Sequence, residues 1–171
     1  MTSGEPSSRP EPPDLAEEER RLAAFLAGQS ALVLAVVPDT DSPPEIGSLP
    51  FVQHDDAFWV LASELAAHTR PLMERGMARV ALIADQSATR NPFARERAHW
   101  EARVEPVERK DERFAIITAA LQKRHGKTVE LLCGLGDFHL LGLRPGGGSY
   151  VNGFAKAFEL DGLSLRRHRR I

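Results

Sequence analysis

Apolar positions recur along the chain in two periods, and each change of period marks an element. Asp14, with Glu17 three residues on, stands before Leu15, Leu22, Phe25 and Leu26 on one helical face that ends at Gly28. The spacing predicts a capped helix over residues 14–27 that packs on something larger. Ser30 to Val37 is a short β-branched run and reads as a buried strand before a Pro and Asp turn region. Ile46 to Val52 and Ala57 to Ala62 flank the polar His54-Asp55-Asp56, which predicts a hairpin. From Ser63 to Gly76 the pattern turns helical, with Leu65, Leu72 and Met73 on one side, and Ala78 to Ala84 is strand-like again.

The cleanest alternation is Ala98 to Val104, where Ala98, Trp100, Ala102 and Val104 interleave with His99, Glu101 and Arg103. Period two of this kind means one dry face and one wet face, as in an antiparallel sheet or barrel. Glu108 to Lys123 is helical by the spacing of Phe114, Ile117, Ala120 and Leu121. Asp137 to Leu143 and Tyr150 to Phe158 read as two strands joined through a turn at Gly146-Gly147-Gly148, and Asp161-Gly162 as a type I′ turn before Leu163 to His168. Seven or eight short strands with helices set between them predict an α+β fold, an antiparallel Greek-key β-barrel with flanking helices.

Of 171 residues, 42% are apolar and 27% charged, the balance of a globular chain, and no apolar run is long enough to span a bilayer. A net charge of −2 argues against bulk electrostatic binding of nucleic acid, although the chain finishes in Arg166, Arg167, His168, Arg169 and Arg170. The single cysteine, Cys133, excludes an internal disulfide; with no signal-peptide pattern at Met1 to Pro13, a reducing cytoplasm is the expected compartment. Four of the twelve prolines fall in residues 1–13, which hold no apolar face to bury. These are expected to form a disordered leader before one domain over residues 14–171.

No P-loop, dinucleotide fingerprint or HExxH pattern occurs, and the six histidines lack ligand spacing. Cys133 reads as a small buried apolar residue. Three stretches carry more chemistry. His68-Thr69-Arg70 sets an imidazole, a hydroxyl and a guanidinium at a strand-to-helix junction, suited to a phosphate or a propionate, although on residue type alone a solvated helix start is the commoner case. Arg90 to Arg97 offers forked donors, including Arg95 and Arg97, and is equally consistent with plain surface. His168 among arginines is either an imidazole ligand or part of a basic solvated tail.

Five segments taken in order carry a resemblance: Ser48 to Val52, Leu61 to Leu72, Arg79 to Ile83, Asn91 to Arg97, and Gly153 to Phe158. Together they resemble the haem-utilisation proteins of HugZ/HutZ type, within the pyridoxamine-phosphate-oxidase-like, FMN-binding split-barrel superfamily. The resemblance runs from about Ser30 to the C-terminus. It implies a split barrel of six or more strands in a homodimer, with the ligand at the subunit interface. It further implies His168 as axial ligand to haem iron, Asp137 as the carboxylate that orients it, and Arg70 with Arg95 or Arg97 as propionate partners. The expected activity is oxygen-dependent haem degradation with electrons from an external donor. Two alternatives stand beside it. One is an FMN-dependent oxidoreductase in which His68, Thr69 and Arg70 hold the phosphate and Ser48 to Phe51 line the isoalloxazine. The other is a haem carrier or storage protein without turnover.

Overall fold

The computed structural model describes residues 13–154 and 156–169; apart from Pro13, the expected leader lies outside the described residues. Helix α1 (Leu15–Gly28) starts at Asp14, whose carboxylate accepts from the Ala16 N–H at 3.0 Å. Leu22, Phe25 and Leu26 are buried as the spacing requires, while Leu15 on the first turn stays exposed. Strands β1 (Ala31–Val36), β2 (Glu45–His54) and β3 (Ala57–Ser63) follow. Asp55 and Asp56 join the last two with φ of 47° and 56°, the paired left-handed conformation of a two-residue hairpin loop.

Helix α2 spans only Thr69–Arg75, shorter than the periodicity suggests. Leu72 is buried, but Leu65 lies outside the helix, fully exposed in a turn. Strand β4 (Met77–Ile83) leads through a 3-10 turn at Pro92–Ala94 into β5 (Arg97–Val107), then α3 (Glu112–His125), α4 (Thr128–Gly134) and β6 (Phe138–Gly153). A final hairpin, β7 (Lys156–Asp161) and β8 (Ser164–His168), completes the described chain.

The antiparallel sheet runs β3-β2-β1-β4-β5-β6-β7-β8, and a further pairing of β3 with β6 closes the first six into a barrel, with two strands extending beyond it. The expected α+β split barrel is what the chain forms. Its interior is filled by the inward positions of alternating strands, among them Leu32, Leu34, Phe51, Val80, Leu82, Trp100, Leu143 and Tyr150. Strand β3 does not alternate because it is covered twice. Phe58, Val60 and Ala62 face the barrel, whereas Ala57 and Trp59 pack with Ile117, Leu121 and Val129 of α3 and α4 in a second cluster. Helix α4, hidden in the sequence among glycines, exists to complete that cover.

Two turn expectations fail. Gly146 to Gly148 is not a turn: β6 runs straight through, its first half closing the barrel against β3 and its second half pairing with β7. The glycines are there for close approach. A Cβ at Gly148 would lie 2.2 Å from the His99 carbonyl oxygen and 2.8 Å from the Trp100 ring, where β5 is irregular in register. At the β7–β8 hairpin only Gly162, with φ of 59°, is left-handed, so the loop is not the I′ form, which needs two such residues.

A carboxylate on β5 ties the second cluster's helices to the sheet. Glu105 accepts from Arg144 Nε at 2.7 Å and from Arg113, and those two hydrogen bonds hold its carboxyl below the usual range. A depressed carboxyl stabilises the fold above its unfolded value, and the gain disappears as pH falls through the folded one. Acid unfolding curves of wild type and Glu105→Gln should therefore differ at neutral pH, begin to approach one another only below about pH 4.3, the ordinary glutamate value, and meet below the folded value. Parallel curves across that range would show that the two bonds do not depend on charge.

Candidate functional site

The register of the sheet lays out the outer face of the barrel as a grid. Ser48, Val33, Ala81, His99, Ser149, Glu159 and Arg167 are successive cross-strand neighbours, one from each of β2, β1, β4, β5, β6, β7 and β8. A second row beside it is Ile46, Ala35, Arg79 and Glu101. Apolar side chains stand on this open face: Ile46 is 68% exposed and Val33 37%. A groove of about 510 Å³ runs over it, lined among others by Val33, Ile46, Ala81, Arg79 and His99.

Ser48 and Arg97 belong to this face, Arg97 being two residues before His99 on β5. Arg97 is exposed and donates from Nη1 to the Arg95 carbonyl at 2.8 Å. Arg95 itself is turned inward, its Nε donating to the Ala84 carbonyl at 2.6 Å.

The three residues of the strand-to-helix junction have three different surroundings. Thr69 is fully buried and its hydroxyl donates to the Ser63 carbonyl at 2.6 Å. His68 is half-buried against β2, where a Cβ at Gly47 would lie 2.6 Å from its ring; its Nε2 is buried without a hydrogen-bond partner. Burial pushes its pKa down, against a smaller upward pull from Glu45, so the ring is neutral near pH 7. Arg70 alone is exposed to solvent.

His168 is not in a loose tail. It is the last residue of β8, opposite Phe158 in the register, and continues the inward row Ala98, Tyr150, Phe158. Its ring lies 5.2 Å from that of Phe158 and remains half-exposed. Asp137 stands just before β6, and its Oδ2 accepts from Ser63 Oγ at 2.7 Å. Beside it, His139 Nε2 and Glu64 Oε1 are 2.6 Å apart. Asp137 precedes Tyr150, in the inward row ending at His168, by thirteen residues of β6. At about 3.3 Å per residue the two lie roughly 40 Å apart along the strand. Within one chain the carboxylate does not reach the imidazole.

Two features of this region escaped the sequence: the place of His99 on the lining of the groove, which alternation alone marks only as wet, and the Ser63–Asp137 bond across 74 residues. Cys133 is a free thiol, half-buried against the second cluster, and burial pushes its pKa up. Among the described residues no group of His, Cys, Asp and Glu is arranged to hold a metal ion, and no helix is long and apolar enough to cross a membrane.

A six-stranded antiparallel barrel with a two-strand extension and an apolar, arginine-edged outer face defines a split β-barrel protein. No protein-family model matches the chain. It is 32% identical over 147 residues to the heme oxygenase HutZ of Vibrio cholerae, covering 86% of this chain and 83% of that protein. The chain belongs to the haem-utilisation family of HugZ/HutZ type. A crystal structure of HutZ from Vibrio cholerae, described as a heme storage protein, superposes with a TM-score of 0.70 at 31% identity, covering 74% of this chain and 89% of that one. Campylobacter jejuni ChuZ shares the fold at a TM-score of 0.80 and 20% identity, covering 93% of this chain and 68% of that one.

Proposed function

We propose that this protein binds haem and degrades it, with oxygen and an external electron donor. The observation that carries this reading is the relation to HutZ, which extends over most of both chains. The residues present fit the group. A porphyrin needs apolar surface for its ring, cations for its propionates and a neutral imidazole for its iron. The chain offers an apolar outer face, exposed Arg70 and Arg97, and a half-exposed imidazole on His168. Haem, when bound, supplies the oxygen chemistry; the chain's own part is to bind, orient and hold charge.

In this reading His168 ligates iron and Asp137 orients the imidazole through the ring nitrogen away from the metal. Because Asp137 precedes the first half of β6 and His168 ends β8 beyond the second half, that pairing is read as Asp137 of one chain with His168 of a second. The proposal therefore includes a homodimer with the ligand between subunits. Ser63, by donating to Oδ2, fixes the carboxylate and leaves Oδ1 for such a partner.

Two readings compete. A carrier or storage role is favoured by the description of the solved HutZ structure and differs only in turnover. An FMN oxidoreductase would use His68, Thr69 and Arg70 for the phosphate, and the Thr69 hydroxyl is already committed to Ser63 inside the fold.

Titration with ferric haem is expected to give a Soret band at one haem per chain, and reductant with oxygen to bleach it. His168→Ala should abolish or blue-shift that band, whereas Asp137→Asn should keep haem bound and slow the bleaching. A stable band under reductant would leave the storage reading. Yellow protein that ignores haem would overturn the proposal in favour of flavin.

A further inference from the structure

Asp137 carries much of the reading above, yet burial does not hold it in place. It follows Leu135 and Gly136, an exposed link between α4 and β6. What fixes it is two sets of polar bonds. At the end of β3, Ser63 Oγ donates to its Oδ2 at 2.7 Å and the Glu64 N–H donates to its carbonyl at 2.9 Å. The second set comes from Arg109, in the turn between β5 and α3. Its Nη1 donates to the Cys133 carbonyl and its Nη2 to those of Leu135 and Phe138, the last at 3.3 Å. Leu135 and Phe138 bracket Asp137 in the chain, so one guanidinium pins the backbone before and after it. Arg109 is exposed, and an exposed arginine gives up rotamer entropy when it is held in one geometry. The Phe114 ring supports it, 5.5 Å from the guanidinium carbon, and Phe114 packs in turn on the second cluster. An unbroken set of contacts therefore runs from the helical cover of the barrel to the backbone of Asp137.

Resting on the haem reading, in which Asp137 meets His168 of a second copy of the chain, we propose that Arg109 is the positioning residue for that carboxylate. A carboxylate orients an imidazole only when it stands within about 0.5 Å of the productive place. Ser63 fixes one of its oxygens, but a bond to Oδ2 does not set where the backbone carries the group. The carbonyl bonds on either side of the residue do. They need the fork: a guanidinium holds its N–H donors in one plane and reaches three carbonyls at once, whereas an ammonium is a point charge on a flexible stem. All of these bonds from Arg109 go to the backbone around Asp137, and its effect passes through that residue.

The test is a double-mutant cycle on the full chain loaded with haem: wild type, Arg109→Gln, Asp137→Asn and the double variant. Two quantities are read, the iron–imidazole stretching band of the ferrous complex by resonance Raman and the haem midpoint potential. Asp137→Asn should lower the band and raise the potential, because the imidazole loses an anionic acceptor and donates less to iron. Arg109→Gln should shift both in the same sense and by less, with the haem titration unchanged. In the double variant the shifts should equal those of Asp137→Asn alone. Arg109→Lys, which keeps the charge over Phe114 and loses the fork, should fall between wild type and Arg109→Gln, and it replaces the glutamine variant in the cycle if that one fails to fold. At the exposed neighbour Lys110, paired with Glu108 at 2.8 Å, Lys110→Gln should move neither quantity.

No shift in Arg109→Gln, beside a clear one in Asp137→Asn, overturns the positioning role and leaves the haem reading standing. So does an Arg109→Gln shift that adds in full to that of Asp137→Asn in the double variant, because the arginine would then act by another route or by loosening the fold at large. If Asp137→Asn moves neither quantity, the pairing with His168 is overturned and the role of Arg109 with it. Wild type that binds no haem overturns both readings.

Discussion

Gly148→Ala is expected to destabilise the fold by at least about 3 kcal/mol in urea unfolding, the upper end of what overpacking costs. The new methyl would meet a backbone oxygen at 2.2 Å and the Trp100 ring at 2.8 Å. Trp100 cannot yield, because it is fully buried and its Nε1 donates to the Gly162 carbonyl at 2.8 Å. The shift would instead fall on the second half of β6 and on the β7–β8 hairpin that carries His168. Haem binding should therefore weaken together with stability. Gly147→Ala, one residue away in open space, is the control and should stay within about 0.5 kcal/mol. Equal loss in the two variants would mean that backbone conformation, and not contact with β5, is what glycine serves here.

The second large effect is expected at Glu18. This carboxylate on α1 is 4% exposed, accepts from Asn152 Nδ2, and pairs with Lys156 Nζ at 3.0 Å. It fastens the helix to β6 and β7, while Glu19 accepts the Leu165 N–H at 2.8 Å and fastens it to β8. Lys156, whose side chain is 45% exposed, returns to solvent when Glu18 is removed, so the loss falls mainly on the Asn152 amide left without its acceptor, about 1–3 kcal/mol. Glu18→Ala should show a loss of that size, and Glu18→Gln, which keeps an acceptor for Asn152, a smaller one. If the two variants unfold at the same urea concentration, the ammonium of Lys156 turns out to be the partner that matters.

Most of the barrel was legible because its strands alternate, and alternation is written residue by residue. β5 is the clearest case: Ala98, Trp100, Ala102 and Val104 are buried as the pattern requires. Reading failed where a strand is covered on both faces or crosses close to another. β3 lost its alternation under α3 and α4, and β6 hid its continuity behind three glycines that look like a turn unless the neighbouring Trp100 is known. Local propensity does not contain that neighbour.

The candidate site was legible as residue types and not as a constellation. Ser48 and Arg97 do share a face, and Arg95 and Thr69 are spent on carbonyl groups of the fold itself. The separation of Asp137 from His168 follows from strand length, which was cut in two by the false turn. Once β6 is a single strand, Asp137 lies before its first half and the row that ends at His168 crosses its second half.

Beyond the barrel the sheet ends on β8, which has β7 on one side and no other strand of the described chain on the other. An unpaired row of N–H and C=O groups is a template for any extended chain that meets it. Arg166 and Arg167 are exposed along this strand, and Arg167 is held by Glu159 at 2.8 Å. Close-set positive charge repels a second copy of the same edge and so keeps β-strand stacking between molecules from starting there. Arg166 and Arg167 thus set positive charge against edge-to-edge pairing at β8.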